Sequence, residues 1–214
     1  MCYWSRMTTT EETKENKKMF CKRVRSFASP SDVVRVKLAY MLAKHLHRSQ
    51  TRKEKDDEGN NIRYFEHVRR VAIILMDEFH VVDPDLVIAA LLHDTLEDCA
   101  DMSEEIIEHC FGKRVCFLVK GVTKTKHNKK NYYGFLKNMA KDDNGIAVIK
   151  AADRIDNLRT IKGCEIEFIR KQVKETFEVV MPTLHSILSA ESTAYQVLDF
   201  ESDGLKHYLN DNVE

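Results

Sequence analysis

The sequence predicts an all-α helical bundle, and three observations carry that reading. Apolar residues recur at steps of three and four in segment after segment, the period of amphipathic helices. Only three prolines and seven glycines interrupt 214 residues, so long helices are permitted almost everywhere. No stretch reads as a convincing strand, and there is no internal repeat or low-complexity tract.

Residues 1–30 mix Thr, Lys, Glu and Arg with little periodicity. They read as a loosely ordered lead-in with one short helix around Thr13 to Phe27. Ser31 is placed to cap a helix after Pro30, in which Val33, Val34, Lys37, Leu38, Met41, Leu42 and His45 keep helical spacing to about Ser49. The charged residues 51–61 end in turn formers at Gly59-Asn60 and read as a solvated loop. From Ile62 to His80 the stripe Phe65, Val68, Ala72, Leu75 and Phe79 predicts a second helix, with His67 beside the stripe. Asp83-Pro84 is a start signal, with Asp83 as N-cap and Pro84 at the first helical position. That helix is expected to run from Pro84 to about Cys99. Asp101 or Ser103 caps a short helix through Ile106-Ile107 that ends at Gly112, and residues 113–121 resume with Val115, Leu118 and Val119. A basic polar segment, Thr123 to Lys130, precedes a helix from Asn131 to Lys141 that Gly134 weakens. The next helix spans Ile146 to Ile161. Two more, Glu165 to Met181 and Thr183 to Leu198, are separated or kinked at Pro182, and the chain after Gly204 forms a short last helix or frays. The resulting organisation is a lead-in (1–30), a single domain with C-terminal helices (31–198) and a tail (199–214).

Hydrophobic residues make up 43% and charged ones 32%, which describes a soluble globular protein and excludes general disorder. The formal net charge is zero, so nothing in the bulk electrostatics favours nucleic acid or a membrane surface. An anionic ligand needs a local basic cluster instead. The six cysteines are scattered without a Cys-x-x-Cys pair, as expected of reduced thiols in a cytosol. The apolar runs are far shorter than a membrane span, and the N-terminus lacks the apolar core of a secretory signal. A cytoplasmic protein is expected.

The stretch Ala89-Ala90-Leu91-Leu92-His93-Asp94-Thr95-Leu96-Glu97-Asp98 carries the chemistry. An apolar helix that ends in ionisable groups must give them partners or a metal. His93 and Glu97, and likewise Asp94 and Asp98, are four apart, so each pair stacks along a helix surface. Two other helices offer polar groups beside apolar stripes. His67 is in line with Val71 and Ile74, while Ile146, Ile149, Asp153, Asn157 and Thr160 share one face. Taken singly, each group has an ordinary reading as a satisfied histidine or a paired carboxylate. Together, His67, His93, Asp94 and Asp153 suit a divalent ion such as Mn, Fe or Zn without singling one out.

These residues resemble a known family. The order His…His-Asp…Asp is that of the HD-domain metallohydrolases. The runs Leu91 to Asp98, Phe111-Gly112, Val119 to Lys124 and Lys150 to Thr160 are similar to the hydrolase domain of RelA/SpoT-type alarmone enzymes, as is His47-Arg48-Ser49-Gln50-Thr51-Arg52-Lys53. The resemblance covers about residues 35–165 and leaves no room in the remainder for a synthetase or regulatory domain, so the chain looks like a small stand-alone alarmone hydrolase. Three departures stand out. Val68 replaces the family's usual Pro, the segment between Arg52 and His67 is longer and more acidic, and Ile155-Asp156 replaces a customary Leu-His.

The resemblance implies an HD-domain fold and hydrolysis of the 3′-pyrophosphate of guanosine tetra- or pentaphosphate (ppGpp or pppGpp), as in the stringent response. It implies a metal, most readily Mn2+, held by His67, His93, Asp94 and Asp153 and activating water. Glu97 is then placed as general base or water-orienting group, with Asp98 assisting. For the anionic substrate, Arg52 and Lys53 are the first phosphate candidates, followed by Lys124, with Asn157 and Thr160 expected to touch sugar or phosphate. Arg154 is expected to steady Asp153 or a neighbouring carboxylate. His45, His80, His109, His127, His185 and His207 are read as structural or surface groups. So is His47, although it alone of these lies in a run similar to the family's. Rival readings on the same site are an NADPH 2′-phosphatase, a nucleotidase, a deoxynucleotide triphosphohydrolase, or a silent nucleotide-binding regulator. The expected partner is a small nucleotide, and the lead-in and C-terminal helices are candidates for a homo-oligomer surface.

Overall fold

The computed structural model describes residues 16–211, and the first fifteen and last three residues lie outside that range. Most of the expected Thr13–Phe27 helix can therefore be followed: α1, Lys17–Arg25, begins at Asn16, whose side chain accepts from the backbone of Lys18 and Met19. Phe20 and Val24 bury its inner face against α2, Pro30–Leu46, with the Phe20 and Tyr40 rings 5.1 Å apart. The cap of α2 is Ser29 rather than Ser31. Its hydroxyl accepts from the Asp32 amide at 3.1 Å, which leaves Pro30 at the first helical position, where a missing N–H costs nothing.

Residues 51–63 depart from the expected loop. They form a small antiparallel hairpin, β1 (Thr51–Lys55) and β2 (Asn61–Arg63). Its tip is a polar turn in which Asp56 accepts from the Asn60 and Glu58 amides and Gly59 takes a φ of +83°. The all-α reading holds for the rest of the described chain. Helix α3, Tyr64–Ile73, follows β2 directly and widens into a π-helical turn, Ile74–Glu78.

The core is built around α4, Pro84–Leu92, in which Leu86 through Leu92 are all buried. An apolar sequence on every side of a helix requires neighbours on every side, and α2, α3, α7 (Lys113–Val122) and α9 (Gly145–Thr160) supply them. Burial of Ile88, Leu91 and Leu92 contributes about 1.5–3 kcal/mol for each side chain. Asp83 and Pro84 start α4 as the sequence indicates, the Asp83 carboxylate accepting from the Asp85 amide at 2.9 Å. The helix does not run on to Cys99. It stops at Leu92, turns at His93-Asp94, and restarts as the single turn α5, Thr95–Asp98.

Ser103 caps α6, Glu104–Phe111, and Gly112, at a φ of +95° that favours glycine, turns the chain into α7, Lys113–Val122. Then come α8, Tyr132–Met139, and α9, Gly145–Thr160. At the C-terminal end, Pro182 does not separate two helices. Helix α10, Ile166–Glu175, passes through a π-helical turn, Thr176–Val180, into α11, Met181–His185. Pro182, which has no N–H to donate, directly follows that widened turn within the continuous helix. The break falls at residues 186–192, and α12, Thr193–Asp211, then runs unbroken through Gly204. The stretch read as a tail from 199 is thus helical to Asp211. Arg159 pins α12 and the first π turn to α9, donating to Glu78 at 2.6 Å and Glu201 at 2.8 Å.

Truncation of Leu118, fully buried in α7, is expected to cost about 2–5 kcal/mol. Leu38, 49% exposed on α2, is expected to cost about 0.5 kcal/mol or less on the same change. Urea denaturation of Leu118→Ala and Leu38→Ala checks both, through the midpoint at constant slope.

Candidate functional site

The turn at His93-Asp94 creates the site. Ending α4 at Leu92 leaves carbonyls without helical donors, and side chains supply them: Thr95 Oγ1 donates to Leu92 O at 2.7 Å and His93 Nδ1 donates to Ala90 O at 2.8 Å. Because a carbonyl only accepts, His93 carries its proton on Nδ1 and turns a lone pair on Nε2 inward. From α3, His67 is fixed in the same sense. Its Nδ1 lies 2.7 Å from Asp156 Oδ2, and Arg70 holds Asp156 ionised through a 2.5 Å contact from Nε.

The two Nε2 atoms meet two carboxylates. Asp94 Oδ2 is 3.0 Å from His93 Nε2 and 3.6 Å from His67 Nε2, while Asp153 Oδ1, from α9, is 3.3 Å from His67 and 3.8 Å from His93. Each carboxylate is tethered, Asp153 through its outer Oδ2 and both through the oxygen that faces the histidines. Tyr64 donates its hydroxyl to Asp94 Oδ2 at 2.7 Å, Lys150 donates to Asp153 Oδ2 at 2.7 Å, and Asn157 donates to Asp153 Oδ1 at 2.7 Å.

Burial works against the charged form of every one of these groups, but their mutual attraction wins. Burial pulls the His67 imidazolium down, yet hydrogen bonds to Asp153, Asp156 and Asp94 push its pKa up to about 10. His93 also rises against its burial, through Asp94 and Asp153. Asp94 and Asp153 fall well below the usual carboxylate range despite burial, Asp94 chiefly through His93 and Asp153 chiefly through Lys150. A cluster that holds positive charge so firmly is chemically disposed to exchange protons for a cation.

The donor set fits a divalent metal. His67, His93 and Asp153 each present one ligand atom within 4.8 Å of the others, and Asp94, outside that trio, brings Oδ2 to 3.0 Å and 3.6 Å from the two imidazoles. Most telling is His93 Nε2, a buried atom with no hydrogen-bond partner among the described residues. Asp94 Oδ2 is 3.0 Å away. A buried acceptor left in this state is costly unless a ligand completes it.

The centre opens into a cleft of about 240 Å³. Glu97 and Asp98 stand on its wall, one turn beyond the His-Asp pair. Glu97 Oε2 accepts from the Lys124 amide at 3.0 Å, and desolvation together with the charges on Asp94 and Asp98 raises its pKa. Asp98 is raised too, first by desolvation and then by Asp94. Arg52, Lys124 and Asn157 line the cleft as the sequence reading requires. Arg52 donates to Asn157 Oδ1 at 2.8 Å and lies over the Tyr64 ring.

Two expected substrate contacts are placed elsewhere. Lys53 points to the opposite side of β1, where side chains alternate, and its ammonium lies 4.3 Å from the Phe168 ring centre. Thr160 lies behind Arg52 rather than on the cleft wall, accepting from it at 3.3 Å and donating to Asp156 O. Arg154 pairs with Glu175 at 3.3 Å and donates to Gln172, not to Asp153.

Several contributors escaped sequence reasoning, although spacing held a signal for some. Tyr64 and Lys150 each stand three residues before a candidate ligand, and Arg70 stands three after one, all on shared helix faces. His47 proves to be part of the frame: fully buried, it hydrogen-bonds Gln50 at 2.6 Å and stacks on Tyr64, while Gln50 donates to Asp98 O.

A helical scaffold and a largely buried pair of imidazoles with two carboxylates, beside a cleft lined by both basic and acidic groups, fit a centre for a divalent ion. The chain belongs to the HD-domain family, whose pattern matches residues 39–182. It is 36% identical over 163 residues to a protein of Aquifex aeolicus named guanosine-3′,5′-bis(diphosphate) 3′-pyrophosphohydrolase, covering 74% of this chain and 22% of that one. Its identity to the Drosophila melanogaster pyrophosphohydrolase MESH1 is 40% over 118 residues, 54% of this chain and 63% of that one. A solved structure described as "A metazoan ortholog of SpoT hydrolyzes ppGpp and plays a role in starvation responses" aligns with a TM-score of 0.63 at 28% identity, over 83% of this chain and 97% of that one. The chain thus spans about a fifth of the Aquifex relative and under two thirds of the Drosophila one.

Divalent metal at about one hundred times its Kd is expected to stabilise the folded protein by about 2.7 kcal/mol. Asp94→Ala is expected to lose that gain. Thermal melts with and without Mn2+ or Zn2+ read it, and an unchanged wild-type melting temperature would count against a metal centre.

Proposed function

We propose that this chain is a metal-dependent hydrolase that removes the 3′-pyrophosphate from guanosine tetra- or pentaphosphate, giving GDP or GTP and pyrophosphate, with Mn2+ as its ion. The observation that carries the reading is the convergence of His67, His93, Asp94 and Asp153 in a cleft that Glu97, Arg52, Lys124 and Lys150 also line. The printed names of the Aquifex and Drosophila relatives supply the substrate.

In this reading the four ligands hold the ion, which supplies Lewis acidity to a phosphoryl oxygen and makes water acidic near neutral pH. Glu97 takes the proton from the attacking water, and its raised pKa makes it a stronger base than an ordinary carboxylate. Its hydrogen bond from the Lys124 amide fixes the carboxylate's direction, and Asp98 raises its basicity from the neighbouring position. Water adds to the phosphorus on the ribose 3′ oxygen, the bond to that oxygen breaks, the 3′-hydroxyl regains a proton and pyrophosphate leaves. Arg52 and Lys124 bind phosphate oxygens, Arg52 through its planar fork. Asn157 orients Asp153 and Arg52 together, and Thr160 supports Arg52 from behind. Lys53 is given no substrate contact. Among the described residues no helix is long and apolar enough to cross a membrane, and a nucleotide substrate with unpaired thiols fits a cytoplasmic setting.

Purified protein with Mn2+ is expected to release pyrophosphate from guanosine tetraphosphate and to leave GTP, NADPH and a deoxynucleotide triphosphate intact. Asp94→Ala should abolish the release. Turnover of another member of that panel would keep the site and replace the substrate. Glu97→Gln is expected to lower kcat by about 10²–10⁴-fold at unchanged Mn2+ affinity. The wild-type rate should fall as pH drops through a pKa above the usual glutamate value, since only the ionised carboxylate accepts the proton. A Glu97→Gln enzyme of wild-type kcat would remove the base from this scheme.

A further inference from the structure

Behind the candidate metal ligand His67 lies a chain of charged groups that the ligand set does not include. His67 is 1% exposed, and its Nδ1 donates to Asp156 Oδ2 at 2.7 Å. Arg70 grips that carboxylate twice, from Nε to Oδ1 at 2.5 Å and from Nη2 to Oδ2 at 3.2 Å. The same Nη2 reaches Glu54 on β1 at 2.7 Å. Two interlocking pairs result. His67 and Arg70 are one turn apart on α3, and Asp153 and Asp156 are one turn apart on α9, so α9 presents a candidate metal ligand and the partner of another from adjacent positions.

As a stabilising device this arrangement is a poor choice. Desolvation of a buried ion pair cancels most of its attraction, and apolar side chains of similar volume hold helices together as well or better. What the pair supplies is direction. An ionised Asp156 can only accept, so it fixes the proton of neutral His67 on Nδ1 and turns the Nε2 lone pair toward Asp94 and Asp153. Arg70 occupies both Asp156 oxygens and prevents the carboxylate from rotating away, and Glu54 holds the guanidinium in turn.

We propose that Asp156, clamped by Arg70 and Glu54, is the positioning residue that aims His67 at the metal. The inference rests on the metal-centre reading above and adds a residue trio to it. Loss of a hydrogen-bonding partner behind a metal-bound histidine typically weakens metal binding about 10–100-fold, and a loss of that size is expected here.

The test is the affinity of the purified full chain for Mn2+ alone, read from the electron paramagnetic resonance signal of the free ion, so no substrate enters it. Asp156→Asn keeps the shape and removes the charge. The double variant Arg70→Met with Asp156→Leu removes both charges at once and leaves neither buried alone, which keeps the experiment decisive if the single variant fails to fold. Both are expected to lose about 10–100-fold in Mn2+ affinity, with Glu54→Gln losing less, and kcat of the folded variants should recover when Mn2+ is raised to saturation. Leu118→Ala, destabilised in the core far from these groups, is the control and should bind Mn2+ like the wild type. A folded double variant with wild-type affinity would overturn the proposal, as would an equal loss in Leu118→Ala, because the effect would then be one of general stability. Wild-type protein that takes up no Mn2+ would overturn the metal reading and this inference together.

Discussion

Imidazole lone pairs and carboxylate oxygens converge from three helices on one point inside an apolar core, and that convergence constrains everything near it. Such atoms repel one another in a medium of low polarisability unless a cation or protons lie between them. They also swing away unless something holds them. Each one is held: His93 by the Ala90 carbonyl, His67 by Asp156, Asp94 by Tyr64, and Asp153 by Lys150 and Asn157. The tightly packed surroundings of α4 supply the rigidity that gives these tethers a fixed direction. Stopping α4 at Leu92 belongs with the same device, since the Ala90 and Leu92 carbonyls are then bonded by His93 and Thr95.

Helix α4 was legible from its sequence because three signals agreed: a cap at Asp83, Pro84 in the first turn, and an unbroken apolar run. The four candidate ligands were legible because each is a polar residue interrupting or flanking an apolar stripe. The hairpin was not. Thr51–Lys55 and Asn61–Arg63 carry mostly charged side chains and bury no face, so the alternation that marks a strand has nothing to act on. The turn at His93-Asp94 was also hidden, because helix propensity alone lets the run continue to Cys99. Only the side-chain bonds to the freed carbonyls favour the break. At Pro182 the break was misplaced for a different reason: a helix can carry an interior proline where it widens locally, and the π-helical turn Thr176–Val180 lies directly before this one. Asp156 could be seen as an unusual residue but not as a partner of His67, since nothing local connects positions 89 apart in the chain.

The zero net charge of the chain conceals a local concentration of both signs. Lys124 and Lys150 both lie against the Tyr132 ring and Arg52 over the Tyr64 ring, and the same cleft is lined by Asp94, Glu97, Asp98 and Asp153. Arg52 is held mainly by neutral groups, Asn157 and Thr160, and so it keeps its full positive charge toward the cleft. Arg154 is engaged by Glu175 and Gln172 and brings little net field. An anion that enters the cleft therefore meets cations and carboxylates side by side.

The pairing of β1 with β2 bears on how this chain tolerates insertions and deletions. Thr51 pairs with Arg63 and Lys55 with Asn61, so five residues of β1 face three of β2 across an irregular register. Arg52 and Glu54 consequently point inward while Lys53 points out. The turn residues Asp56 to Asn60 bond mainly to one another and to Lys55, which makes the tip a place where length can change freely. Loss of one residue within β1 is another matter. Because successive side chains in a strand face opposite ways, it would exchange the arginine and the glutamate for a lysine and cut both lines of contact to α9 and α3 in one step.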